Sequence, residues 1–444
     1  QNEIISKAKD TIENQRSELE ITNKESEEKS EKMTALKEII EIKSQFKDLN
    51  IRLVSAYEED DLPMVTDIIE ESLNKQEKFD SLQNLESLKD NYIGNEDVIG
   101  LNQEILSVLE KKSRYSETSM LLDENDFSIR SFDTKDDIVA YVGDDGFLRI
   151  NNFKNNSRSD AIKISDKNPI SDRLRNVLFI DTNTVLVNTF SNKLFKVNID
   201  NALITEIDLK FRRKENSEII GLYGGDGFSQ TYVVLSNKIL SYSTEELKTE
   251  FSEFKNITCA YLSSKNELFI INDNKAYVLL EDSRVFQLLF SNNVIYNYGV
   301  TAIETSNGHL FLGCENGKVF HFSYNLEDIK NLNKLIFYSE YSNHKSRVTK
   351  LLYDYDFSNN TNILYTASLD NKIYRYDYNL KPIDNVKNEF IELKGHEKWI
   401  WDMDVLTNID GKKLLITADE DGNLLSWYTN PKDLIAKIKK LKRD

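Results

Sequence analysis

Four histidines, two cysteines and a surplus of carboxylates are the groups in this chain with chemistry to offer, and their spacing decides what they can do. His309, His321, His344 and His396 contain no close pair of the kind that grips zinc. Cys259 and Cys314 give neither a metal-ligand spacing nor a disulfide framework; both fall in apolar runs where a thiol serves as a small hydrophobe. Gly313-Cys314-Glu315-Asn316-Gly317-Lys318 has the glycines and lysine of a phosphate loop at the wrong spacing, and ends in Val319 instead of Ser or Thr. Asp144-Asp145-Gly146 and Asp419-Glu420-Asp421-Gly422 resemble the start of calcium loops without the remaining ligands or the closing Glu. No Gly-x-Ser-x-Gly nucleophile elbow occurs. The reading is therefore a chain with no catalytic residue, no cofactor and no metal.

Composition excludes further classes. A net charge of −18 opposes nucleic acid as the main partner, since neutralising phosphates needs a basic face. No apolar run approaches the ~20 residues that span a bilayer, and no secretion signal is visible at Gln1. With only two cysteines, a cytoplasmic location is expected.

The elements that would position any site divide near Tyr115. Before it there are 16 Lys and Arg against 27 Asp and Glu, and few aromatics; after it come most of the Phe, Tyr and Gly and all three Trp. Residues 3–48 contain neither Gly nor Pro and predict one long helix, with apolar residues every seventh position at Ile5, Ile12, Leu19, Met33 and Ile40. The position three further on is mostly polar, and one apolar position does not make a self-sufficient coiled coil. That leaves a connector, a helix packed along one narrow stripe, or a helix that joins copies of the chain. Shorter helices follow over about 62–112. One opens at Leu62-Pro63 with Met64, Ile68, Ile69 and Leu73 on a face; another is capped by Asn95 and carries Val98, Leu101, Ile105, Leu106 and Leu109.

After Tyr115 the sequence repeats. Tight turns read Asp144-Asp145-Gly146, Ser191-Asn192-Lys193, Ser236-Asn237-Lys238, Asp273-Asn274-Lys275, Glu315-Asn316-Gly317, Asp370-Asn371-Lys372 and Asp421-Gly422. Asn, Asp and Gly tolerate the positive φ of hairpin turns. Each turn has an apolar strand before it and an alternating one after it. The period fits four-stranded units of ~40–45 residues with insertions. Closing a ring of such units takes a strand from the start of the chain, for which residues 118–122 are the candidate.

The last repeat carries Gly395-His396, Trp399-Ile400-Trp401-Asp402 and Leu424-Leu425-Ser426-Trp427-Tyr428; the one before carries His344 and Tyr376-Asp377. These segments resemble the WD-repeat family. The resemblance implies an all-β seven-bladed propeller over 116–430, preceded by an acidic helical, partly coiled-coil segment over 1–115. In such blades a His, a Ser or Thr, a turn Asp and a strand Trp lock the strands together. The matching sets here are His396, Thr417, Asp421 and Trp427, and less completely His344, Ser368, Asp370 and Tyr376. A basic helix at 431–444 follows. Trp427-Tyr428-Thr429-Asn430-Pro431-Lys432-Asp433-Leu434-Ile435-Ala436 is similar to the tail of bacterial STAND signalling ATPases with WD repeats, in which the propeller is the sensing or docking half.

The function that these readings imply is a protein-binding propeller, the sensor, regulatory or scaffold module of a larger assembly. Trp399 and Trp401 are the candidate contact residues. The alternatives are a propeller enzyme with a metal or small ligand in an acidic channel, or a structural homo-oligomer built on the N-terminal helix.

Overall fold

The computed structural model describes residues 2–58, 61–83, 85, 88, 98, 101–102, 105, 120–121, 127–152, 157–165, 170–209, 217–225, 227–243, 246–252, 254–280, 284–290, 298–306, 308–324, 334–356, 361–378, 390–393, 395–407 and 413–428. The chain divides into two compact units, helical within residues 1–109 and mostly β within 110–436.

In the helical unit, α1 runs Asn2–Glu58, ten residues beyond the expected end, because nothing in the sequence breaks it before Pro63. α2 (Leu62–Gln83) starts at an Asp61 cap whose Oδ1 accepts the Met64 N–H at 3.1 Å. The short connection makes the two helices antiparallel, and their seam alternates in fours and threes. Ala35, Ile39, Ile42, Phe46, Leu49, Leu53 and Ala56 are buried against Val65, Ile68, Ile69, Ser72, Gln76 and Phe79. Phe46 meets Phe79 edge-on, with ring centroids 5.8 Å apart. Glu38–Lys78 (2.5 Å), Gln45–Lys75 (2.8 Å) and Arg52–Glu71 (3.4 Å) flank the seam.

The expected seven-residue stripe is not this seam. Met33 and Ile40 are 69% and 68% exposed, because Met33 lies two residues from Ala35 and Ile40 one residue from Ile39, about 200° and 100° around the helix from those seam positions. Met64 is likewise exposed, and Val65 takes its place in the core. The side chains of Ile5, Ile12 and Leu19 lie outside the described residues, as do Asn95, Leu106 and Leu109. Val98, Leu101 and Ile105 are buried. Beside them the amides of Gln76 and Asn102 exchange two hydrogen bonds at 2.8 and 3.0 Å, so both polar groups are satisfied where no water reaches.

The β unit is a series of antiparallel groups. They span 129–163, 174–207, 219–251, 257–290, 300–341, 348–393 and 400–428. Each turn read from the sequence joins the second and third strands of a group. Gly146, Asn192, Asp273, Asn274, Gly317, Asn371 and Gly422 there adopt positive φ. A Cβ on Gly317 would come within 2.4 Å of the His344 carbonyl oxygen, so this turn requires glycine on two counts. The 257–290 and 300–341 groups form one eight-stranded sheet. Leu289 and Phe290 pair in parallel with Lys334 and Leu335 at the outer edge. Met120 and Leu121 pair with Leu424 and Asn423, giving the last group a fourth strand from far upstream, within the segment expected for it.

The first strands of successive groups neighbour one another, and the last, Ile400–Thr407, returns to the first, Ile129–Lys135. Both faces of the groups are therefore covered. Val139–Val142, Val185–Val187, Tyr232–Leu235, Leu268–Ile271 and Leu310–Leu312 are buried along their whole length, as strands covered on both faces must be. Every first strand also carries a one-residue register shift near its start, between 129 and 131, 174 and 176, 219 and 221, 257 and 259, 300 and 302, 348 and 350, and 400 and 402. A bulge leaves its extra residue unpaired and re-aims that side chain.

Candidate functional site

The bulge residues are Arg130, Arg175, Ile220, Thr258, Thr301, Thr349 and Trp401. All but Ile220, which packs among apolar side chains, fall into two arcs. Thr258 Oγ1 donates to the Val300 carbonyl at 3.2 Å, Thr301 Oγ1 to Val348 at 2.6 Å and Thr349 Oγ1 to Ile400 at 2.7 Å. Each hydroxyl thus ties one first strand to the next. On the other arc the same position carries Trp401, Arg130 and Arg175. Their side chains are too large for that bond and stand at the rim.

There Trp401 and Arg130 build one cluster and Arg175 another. The Arg130 guanidinium lies over the Trp401 ring at 4.4 Å and donates twice to Asp144, at 2.8 Å each. Arg173 shares that carboxylate at 2.9 Å. Burial works against the Arg130 charge, but the hydrogen bond to Asp144 and the fields of Asp144 and Glu420 hold its pKa above the ordinary value. Trp401 Nε1 donates to Glu420 at 2.5 Å, and Ser128 Oγ reaches the same oxygen at 3.1 Å. Trp399 meets Trp401 at 5.9 Å and 85°, with 49% of its surface exposed. Arg175 pairs with Glu218 and lies over Phe190, which is itself exposed. The two expected contact residues are thus brought together. Sequence reasoning does not single out Arg130, Arg173, Arg175 or Phe190; for Arg130 and Arg175 the residue after the first apolar position of each repeat is a readable signal, and for Arg173 and Phe190 it is not.

The strand locks are built beneath. His396 lies 2.7 Å from Asp419 through Nδ1 and 2.7 Å from Thr417 through Nε2, and Trp427 Nε1 donates to Thr417 Oγ1 at 2.9 Å. A carboxylate only accepts, so Nδ1 carries the proton, Nε2 accepts from the threonine hydroxyl, and that oxygen is left to accept from the indole. The partner of His396 is Asp419, not the expected Asp421. Asp419 lies two residues from Thr417 on the same strand face, whereas Asp421 is past the strand end and gives Asp419 its backbone N–H at 3.0 Å.

In the preceding group His344 holds Asp370 at 3.0 Å and Thr366 at 2.8 Å. Thr366 replaces the expected Ser368, whose hydroxyl caps the turn by donating to the Ser346 carbonyl and accepting the Asp370 N–H. Burial alone would raise the Asp370 carboxyl, but His344 and the N–H groups of Lys345 and Lys372 bring it below its ordinary value. Tyr376, buried where the other lock has Trp427, donates to Asn343 at 3.0 Å.

A second set of carboxylates lines the inner strands. Asp133 accepts the N–H groups of Thr134 (3.0 Å) and, on the next first strand, Phe179 (2.7 Å). Asp402 accepts those of Met403 and Phe132 and meets Lys350 Nζ at 2.7 Å. Glu304 accepts the Thr305 N–H at 2.8 Å. They satisfy inward-facing edge groups that have no strand partner. Burial, followed by the charge of Asp404, pushes Asp133 up to about 7; burial pushes Glu304 up to about 8.

His309 and His321, read as ordinary strand residues, form a buried pair with Nδ1 and Nε2 2.8 Å apart. Burial lowers both, His321 to about 2. Cys259 and Cys314 are buried free thiols, each pushed up to about 12 by burial. Among the described residues, no group of three or more His, Cys, Asp or Glu is placed to hold a metal. Both calcium-like loops are spent internally: Asp144 on two arginines, Asp145 on Arg149 at 2.6 Å, and Asp419 on His396. No described helix is long and apolar enough to cross a membrane.

Residues 336–377 match the family model described as WD domain, G-beta repeat. No curated protein matches the sequence. Among solved structures, the WD40 β-propeller domain of Doa1 is similar at 14% identity with a TM-score of 0.52, covering 71% of this chain and 97% of that one. The computationally designed Ika8 protein is similar at 13% identity and a TM-score of 0.47, over 71% and 99%. The β unit accordingly has a WD40 propeller-like fold, and it follows an N-terminal helix. The family match falls on the group with the His344 lock, not on the last group, whose sequence resembled the family more fully.

Proposed function

We propose that residues 116–430 form a seven-bladed WD-repeat propeller that binds a protein partner on the rim carrying Trp399, Trp401, Arg130, Arg173, Arg175 and Phe190. WD40 propellers generally mediate protein interactions. One observation carries the assignment to this rim: the position that holds neighbouring strands together through threonine on one arc carries indole and guanidinium groups on the other, where they make the surface instead. Tryptophan and arginine are the residue types that dominate binding energy at interfaces, and a rigid cluster loses little entropy when a partner arrives.

On this reading the chain is a cytoplasmic sensor, regulatory or scaffold module without chemistry of its own. Residues 1–115 are its connector and 431–444 its basic tail, in the manner of STAND signalling proteins. Photo-cross-linking in the cells of origin tests the rim. A cross-linking residue at position 399 or 173 is expected to trap a partner that the same residue at Thr205, on an outer strand, does not; equal trapping at all three sites would move the interface elsewhere. Particle images of the β unit with six or eight lobes would overturn the blade count.

Self-association through α1 has its own support, since Met33 and Ile40 present an apolar stripe to water. Light scattering of the full chain and of Met33→Glu/Ile40→Glu checks it. A dimer that these changes dissociate is the expected result.

A further inference from the structure

α1 has two apolar stripes, and α2 covers one of them. The covered stripe runs from Ala35 to Ala56 along the seam; Met33, Ile40, Ile51 and Val54 lie away from it and stay exposed. Met33, Ile40 and Val54 fall on one sevenfold count, interrupted by Lys47, and Ile51 stands three residues before Val54. In sequence the count reaches back through Leu19, Ile12 and Ile5. At 1.5 Å per residue the 57 residues of α1 extend about 86 Å and the 22 of α2 about 33 Å, so α2 accompanies less than half of its neighbour. A solitary helix in water is marginal, and the outer stripe calls for a second partner.

The charges flanking that stripe differ from side to side. The residue after each position of the count is acidic from Glu13 through Glu20, Glu27 and Glu41 to Asp48, Thr34 excepted. The residue three after it is Ala8, Gln15, Thr22, Lys29, Leu36 or Lys43, with no carboxylate among them. Glu27, Glu41 and Asp48 are exposed, Asp48 with Arg52 3.7 Å away on the same helix. Two copies of the stripe can meet in either of two directions. Antiparallel helices set each flank against itself, so that Glu41 and Asp48 confront a second acidic column. Parallel helices set the acidic flank against the acid-free one, with Lys43 beside Asp48 of the second copy. Like charges opposed along the helix are unfavourable, and they decide the direction.

We infer that α1 binds α1 of a second copy in parallel and in register, with Met33, Ile40 and Val54 each meeting its own counterpart. The inference rests on the self-association reading above and fixes the direction and register of the pair. Lys37 and Ser44, which precede Ile51 at sevenfold spacing, and Lys47 put polar groups on the contact line, so the pair is weak and dissociates on dilution.

The test uses the full chain with Met33→Cys, Val54→Cys or Glu31→Cys, oxidised by copper-phenanthroline beside the parent, whose own Cys259 and Cys314 are buried. Residues 33 and 54 lie about 32 Å apart along the helix, so an antiparallel pair can join at most one of them to itself. Met33→Cys and Val54→Cys are both expected to give disulfide-linked dimers, and Glu31→Cys and the parent are not. By sedimentation, Asp48→Lys is expected to weaken the dimer several-fold, and Lys43→Glu/Asp48→Lys to restore it. Circular dichroism and a melting temperature unchanged from the parent show that each variant is folded. A dimer that self-links at one site alone or at neither, or that tightens with Asp48→Lys, would overturn the parallel order and leave self-association standing. A chain that stays monomeric at every concentration would remove the self-association reading and this inference with it.

Discussion

The two arcs of the inner ring start from the same backbone feature and use it in opposite ways. Along residues 257–400 the bulge directs Thr258, Thr301 and Thr349 to the next strand's carbonyl, and the result is cohesion. From the last group through the first to the second, the same bulge carries Trp401, Arg130 and Arg175, and the result is surface. A repeat fold can thus keep its backbone constant and divide labour by one side chain per repeat. Changes on the first arc should be read in stability, and changes on the second in binding.

The largest effect lies in the strand lock of the last group. Trp427→Ala removes a fully buried indole and the hydrogen bond to Thr417, and is expected to cost about 3–5 kcal/mol in denaturant unfolding. A loss under 1 kcal/mol would mean that the lock contributes little.

Next comes acid, through the arc of threonines. His321 is neutral and buried; its folded-state pKa of about 2 lies below the ordinary value near 6.5. In acid the unfolded chain binds the extra proton, so this contribution is complete above about pH 6.5 and lost as pH falls, by about 2–3 kcal/mol at pH 4.5. Urea melts from pH 7 to 4.5 should fall less steeply for His321→Gln than for the parent. Asp133 and Glu304 carry the opposite sign. Their folded-state values are raised, so the stability they provide is present in acid and lost as pH rises toward about 7 and 8.

Smaller still is Thr301→Val, which removes one hydroxyl clasp while keeping the shape. About 1 kcal/mol of stability should go, with no change in binding at the rim. The mirror experiment gives the smallest change in stability. Trp399→Ala should shift unfolding by less than about 0.5 kcal/mol and weaken partner binding by about 2 kcal/mol, measured by titration. If Thr301→Val lowered binding and Trp399→Ala lowered stability by similar amounts, the division between the arcs would fail.

Much of this architecture can be read from residue order. The turns announce themselves because Asn, Asp and Gly are what positive φ demands, and the upstream closing strand follows from the need to cover an edge. The helical seam was legible too, but in a different register. Ile39, Ile42, Phe46, Leu49 and Leu53 alternate in fours and threes, whereas the plainer sevenfold spacing of Met33 and Ile40 marks a wet face. The locks show where sequence stops. Thr366 and Ser368, or Asp419 and Asp421, are equally good hydrogen-bonding types two residues apart; which one meets the histidine depends on where the strand ends and the turn begins. The Arg130–Trp401 stack joins residues from opposite ends of the β unit, and no local pattern could have paired them.

The parallel pairing of Leu289 and Phe290 with Lys334 and Leu335 has a mechanical consequence. Neighbouring groups elsewhere in the unit fall in separate sheets, but the 257–290 and 300–341 groups are joined by hydrogen bonds at the outer edge as well as by their contacting inner strands. They form a double stave in a ring of single ones. Opening either exposes the other, so the pair should exchange its amide protons as one cooperative block and yield last when the ring is pulled apart.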